Sequence, residues 1–137
     1  MAAHEKIDAG PMEALVTPDM VKRWAEITGD EGLLRAGAEA LVPPALLFSL
    51  SVRLRKSIER RSSSGGDDAV QAQYRMETRR PIRAGERLTV TGQLLRRYIK
   101  REREYSVWDI RFRDETGKEV ACYREEGLET YQKVGER

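Results

Sequence analysis

Few side chains in this sequence can move a proton or hold a metal at neutral pH, and their types narrow the chemistry. The only histidine is His4 and the only cysteine is Cys122. That inventory excludes an internal disulfide and a cysteine-based metal cluster. Zinc or non-haem iron would need an all-carboxylate site, which those metals rarely use, so neither metal nor cofactor is expected. Cys122 lies in a strand pattern and reads as a small core residue rather than a nucleophile. Carboxylates remain as acid/base candidates, first Asp30 and beside it Glu31, because Asp30 directly follows the run Ile27-Thr28-Gly29 that closes a helix. The same aspartate has a plainer reading, as a turn residue or the N-cap of whatever follows. Five positions on stands Arg35, whose guanidinium stays protonated and cannot act as a base. Ser49 and Ser51 offer hydroxyls on a long helix, where they also read as packing residues.

The elements that must position these groups are marked by changes of period. Residues 1–15 show no periodicity and contain Gly10-Pro11, which reads as an extended N-terminal arm. Thr17 is a candidate N-cap, Pro18 suits the first helical position, and Asp19 complements the helix dipole. Val16 and Val21 could form a hydrophobic staple across that start. Met20, Val21, Trp24, Ala25 and Thr28 recur at helical spacing until Gly29 ends the helix. Residues 30–42 read as a loop with one further helical turn. Pro43-Pro44 introduces the longest helix, with Leu46, Leu47, Leu50, Leu54 and Ile58 as its apolar stripe. Ser62 to Asp68 is a polar, flexible loop, too short to separate domains.

Beyond residue 69 the period becomes two. Val70, Ala72, Tyr74 and Met76 alternate with polar residues, as in a half-buried strand. Leu88, Val90, Gly92 and Leu94 form the next apolar face, and Trp108, Ile110 and Phe112 a third. Lys100-Arg101-Glu102-Arg103 reads as a charged hairpin end, and Asp114-Glu115-Thr116-Gly117 as a turn whose glycine takes a positive φ. Val120, Cys122 and Tyr123 begin a fourth strand that extends towards Tyr131. One long amphipathic helix beside an antiparallel meander must bury its stripe against the sheet, which gives an α+β domain with a curved sheet wrapped around a helix.

A chain of 137 residues is sized for a single domain spanning residues 1–137. No run approaches the roughly 18 apolar residues of a membrane span. No apolar stretch follows Met1 to Lys6 that could serve as a signal peptide, so the expected location is cytoplasmic. A net charge of +2 is too small to point to nucleic acid. The basic clusters Arg79-Arg80, Arg96-Arg97 and Lys100-Arg101 read as a solvated face with Glu102 and Glu104 as counter-charges.

Two stretches resemble the MaoC-like family of hot-dog proteins, the R-specific enoyl-CoA hydratases and related acyl dehydratases. The first runs from Val16-Thr17-Pro18-Asp19 through Trp24-Ala25-Glu26-Ile27-Thr28-Gly29-Asp30. The second is Arg80-Pro81-Ile82-Arg83-Ala84-Gly85-Glu86-Arg87-Leu88, with the paired strands after it that end in Asp114 to Val120. The resemblance spans about residues 15–130 and implies a hot-dog fold and hydration or dehydration of an acyl thioester. That chemistry needs a carboxylate–imidazole pair to activate water and a backbone N–H for the enolate oxygen. Asp30 matches the family's aspartate, while the histidine position is Arg35 and the usual Asn-Pro between them is replaced by Gly32-Leu33. At the start of the central helix Pro43 and Pro44 lack N–H groups, so Ala45 or Leu46 is the expected oxyanion contact.

Three readings follow from this departure. In one, the chain is a catalytically degenerate subunit that shapes an acyl-CoA or acyl-carrier thioester site, as a homodimer or with another hot-dog chain. In another, it is a self-sufficient hydratase or thioesterase that uses Asp30. In the third, it is a non-enzymatic acyl-CoA binding module.

Overall fold

The computed structural model describes residues 7–59, 70–129 and 133–135. Strand β1 (Ile7–Leu15) leads into helix α1 (Pro18–Thr28), the short helix α2 (Glu31–Ala36), a 3₁₀ turn (Gly37–Glu39) and the long helix α3 (Pro44–Glu59). Four strands follow: β2 (Val70–Thr78), β3 (Arg87–Lys100), β4 (Arg103–Arg113) and β5 (Glu119–Leu128). All pairings are antiparallel and the sheet order is β1-β3-β4-β5-β2. This α+β arrangement of one curved sheet and a long helix is the hot-dog fold.

Helix α1 begins and ends as its sequence dictates. The Thr17 hydroxyl accepts the Met20 N–H at 3.1 Å, Pro18 opens the helix, and Gly29 closes it at φ 73°. Val16 and Val21 are both buried in the same core cluster. Helix α3 packs across β1 and β3, with Leu47, Leu50 and Leu54 buried and Leu46 half-buried. Burying each such leucine stabilises the domain by about 2 kcal/mol. Opposite them lie Leu88, Val90, Leu94, Trp108, Ile110 and Phe112, all buried as the two-residue period requires. The side chain of Ile58, Tyr131 and the loop read at 62–68 lie outside the described residues.

The N-terminal region departs from the arm expected of it. Ile7–Leu15 is an edge strand paired with β3, from Ile7 opposite Leu94 to Leu15 opposite Arg87. Its register shifts between Ala9 and Met12, around Gly10-Pro11, and this irregularity breaks the alternation that would have marked a strand. Cys122 also differs from its reading as a core residue. Val120 and Ala121 are both buried, the inward alternation resumes at Tyr123, and Cys122 is left half-buried with an Arg79 N–H 3.8 Å from its Sγ. In β2, Met76 is half-buried while Ala72 is exposed and Tyr74 is 65% exposed.

The stretch from Arg80 to Glu86 is a clamp between two connections. Gly85, at φ 88°, donates its N–H to Val16 O at 2.8 Å, and Glu86 accepts the Arg83 N–H at 3.1 Å. Arg80 pairs with Glu86 and, at 3.2 Å, with Asp114 in the β4–β5 turn. Asp114 also accepts from the Thr116 hydroxyl at 2.6 Å and from the N–H groups of Thr116 and Lys118. The Thr116 hydroxyl, with Arg80 and these N–H groups, holds the Asp114 carboxyl down to about 2, and Arg80 lowers that of Glu86. A carboxylate with a depressed native pKa stabilises the fold above its unfolded value and loses that contribution as pH falls through the native value. Stability should therefore decline between about pH 4 and pH 2 as the clamp protonates. In Arg80→Ala the part of this decline that depends on the guanidinium should vanish. Urea midpoints across that window would read the difference, and parallel curves would show that Arg80 contributes nothing.

Candidate functional site

The first turns of α3, the strand β2 and the middle of β5 enclose an apolar cleft of about 250 Å³. Pro44, Ala45 and Phe48 come from the helix, Gln71, Tyr74 and Met76 from β2, and Tyr123 from β5. Antiparallel register places Met76 opposite Tyr123 and Gln71 opposite Gly127, which brings these distant residues to one wall. Phe48 meets the Tyr123 ring edge-on at 5.6 Å between centroids, and Tyr74 lies 6.0 Å from it at 33°. Aromatic rings in such arrangements supply large apolar area with little freedom to move. Two larger hollows, about 410 Å³ and 590 Å³, lie along β1, β3 and β4. Charged side chains including Asp109, Arg111, Arg113 and Asp114 line them, so the smaller cleft is the better candidate for an acyl group.

One edge of the cleft is polar. The Tyr123 hydroxyl donates to the Glu125 carboxylate at 2.7 Å and accepts an N–H of Gln71. Tyr123 is 1% exposed and Glu125 is 5% exposed. Sequence reading did not find this trio. Its signal was the alternation of Tyr123, Glu125 and Gly127 on the inward face of β5, with a carboxylate where an apolar residue is usual.

Of the residues singled out from sequence, the structure brings one to the cleft. Ala45 lines it, in the first turn of α3 where N–H groups lack a carbonyl within the helix. Leu46 is not part of the lining, and its N–H donates to Pro43 O at 3.0 Å. Asp30 is the N-cap of α2: its Oδ1 accepts the Leu33 N–H at 3.1 Å, and the residue is exposed. Arg35 is exposed in the last turn of the same helix, where a cation suits the helix dipole. Ser49 and Ser51 each donate to a carbonyl one turn earlier, at 2.6 Å, as helix-packing hydroxyls do. No histidine occurs among the described residues, and His4 lies outside them.

Several arginines lie beside carboxylates. Arg79 contacts Glu77 at 3.1 Å and Glu119 at 3.3 Å, Arg111 contacts Asp109 and Glu119, and Arg124 reaches Asp109 at 3.2 Å. Each exposed pair adds less than about 1 kcal/mol. Around Arg79, Arg111 and Arg124 the face is therefore of mixed charge.

No family model and no curated protein matches the sequence. Solved structures do. The C-terminally truncated HadBC (3R-hydroxyacyl-ACP dehydratase) complex from Mycobacterium tuberculosis matches with a TM-score of 0.77 at 14% identity, over 93% of this chain and 98% of that one. A MaoC-like dehydratase matches at 0.69 and 19% identity, over 93% of this chain and 42% of that one. The (R)-hydratase from A. caviae involved in PHA biosynthesis matches at 0.63 and 12% identity, over 93% and 96%. The chain thus has the hot-dog fold in the form found in MaoC-like dehydratases and (R)-hydratases. Among the described residues, no helix is long and apolar enough to cross a membrane.

Proposed function

We propose that this chain is a MaoC-like hot-dog subunit acting in hydration or dehydration of an enoyl or 3-hydroxyacyl thioester, in cytoplasmic acyl metabolism. In this reading it shapes an acyl site and leaves the acid/base chemistry to another hot-dog chain. One observation carries it: an apolar cleft is formed at the start of α3, while Asp30 and Arg35 sit outside its lining, one as a helix cap and one on the exposed end of α2. Loss of the general base alone removes roughly 10²–10⁴ in rate.

The partner's seat is argued from the sheet. Strand β2 pairs with β5 on one side and has no partner strand on the other among the described residues. The open edge of this nine-residue strand presents a row of backbone donors and acceptors that another strand can complete. Tyr74, exposed on that strand, would then close the cleft from the partner's side. That one of the matched structures is itself a HadBC complex supports a partner subunit of the same fold.

The test is hydration of a panel of short- to long-chain enoyl-CoA thioesters by the purified chain, with Asp30→Ala alongside. The expected result is no turnover above background for either protein. Asp30→Ala should lower stability by about 1 kcal/mol, through loss of the cap. Turnover that Asp30→Ala destroys would sink the degenerate-subunit reading and make this an enzyme in its own right.

A further inference from the structure

We propose that Phe48 sets the length of acyl chain that the cleft accepts, with a limit near about six carbons. The inference rests on the acyl-thioester reading above and names the residue that selects among such ligands by length. Burial along the lining gives the cleft a direction. Ala45, Gln71 and Tyr74 are exposed and form its mouth, whereas Phe48 and Met76 are half-buried and Tyr123 is 1% exposed. Tyr123 belongs to the hydrophobic core and Phe48 and Met76 pack against it, so these three make the inner end. Phe48 follows Ala45 by one turn of α3 and lies on the same helix face, about 4.5 Å further along the axis. A chain that enters beside Ala45 therefore runs towards the Phe48 ring. That ring stands edge-on to Tyr123 at 5.6 Å between centroids, and the preceding helical turn closes one of its three rotamers. Its room to swing aside is small.

The volume gives the limit. At about 30 Å³ per small group, a cleft of about 250 Å³ holds on the order of eight non-hydrogen atoms, about those of a hexanoyl thioester. Each methylene that enters gains about 0.8 kcal/mol, or about fourfold in affinity, and each one left in water gains nothing. Truncating Phe48 to alanine removes the ring, and because such sites collapse only in part, the accepted chain should lengthen by about two to four carbons.

Titration calorimetry of the full chain with acetyl-, butyryl-, hexanoyl-, octanoyl- and decanoyl-CoA tests this. In the wild type, affinity should climb about fourfold per methylene as far as hexanoyl-CoA and then level off or fall. In Phe48→Ala the break should move to octanoyl- or decanoyl-CoA. In Phe48→Trp, which fills the inner end further, it should move to butyryl-CoA. The readout is the position of the break, which a general loss of stability does not shift. Circular dichroism would establish that each variant folds, and the tryptophan variant carries the test alone if the alanine variant does not. Affinity that climbs without a break to decanoyl-CoA, or a break that stays in place in a folded variant, overturns the role of Phe48 and leaves the acyl-thioester reading intact. Affinity indifferent to length, or no binding by any of the thioesters, overturns both.

Discussion

Replacing Gly92 with valine should cost the domain about 3 kcal/mol, the upper end of what overpacking a core exacts. Gly92 lies on β3, opposite Ile110 on β4 and Ala9 on β1, beneath Leu54 of α3. A Cβ there would stand 2.6 Å from Ile110 Cδ1 and 3.0 Å from Leu54 Cδ2. Ile110 is fully buried and Leu54 is 1% exposed, so neither has open space to move into. Against a total stability of about 5–15 kcal/mol, a loss of that size leaves a domain that unfolds at much lower urea. Gly92→Ala should be milder, and pairing it with Ile110→Val, which removes the clashing methyl, should recover about 1 kcal/mol. Strictly additive effects would show that the seam is looser than these distances say.

The second large effect concerns turnover. Combined with a hot-dog chain carrying Asp-x-x-x-x-His, this protein should yield a complex that hydrates enoyl thioesters about 10²–10⁴ times faster than this chain alone. Replacing the partner's histidine should abolish the gain, and Asp30→Ala in this chain should leave the rate of the complex within about twofold, since Asp30 caps α2 and lies outside the cleft lining. Sedimentation of the mixture should give a stoichiometric complex. A homodimer that refuses the second chain and shows hydration of its own would defeat the proposal.

Local signals were the legible part of this sequence. The cap at Thr17 and the proline after it mark the start of α1 and Gly29 marks its end, and the structure keeps all three. The stripe from Leu46 to Leu54 and the alternation in β3 and β4 likewise depend only on periodicity. Asp30 shows both sides of this. A cap bond reaches only three residues, from Asp30 to Leu33, so the cap reading could be weighed from sequence. Strand β1 was hidden because Gly10-Pro11 interrupts its pattern and its buried positions hold only alanines, Ala9 and Ala14. The polar trio was hidden for a different reason. Gln71 and Tyr123 are 52 positions apart, and only the β2–β5 register brings them together.

The sheet order also governs how the chain assembles. Strands β3 and β4 are joined through Arg101-Glu102 alone, both at positive φ, and β4 and β5 through the short Asp114 turn. Strand β2 must close roughly forty residues of intervening chain to bring Thr78 against Ala121. Local closures cost less entropy and are expected to form first, so the meander nucleates and β2 is zipped on late. Amide exchange should accordingly be faster in β2 than in β4. The strand whose free edge would receive a partner is then also the last to commit to its own sheet, and completing the fold and meeting the second subunit become neighbouring steps on one pathway.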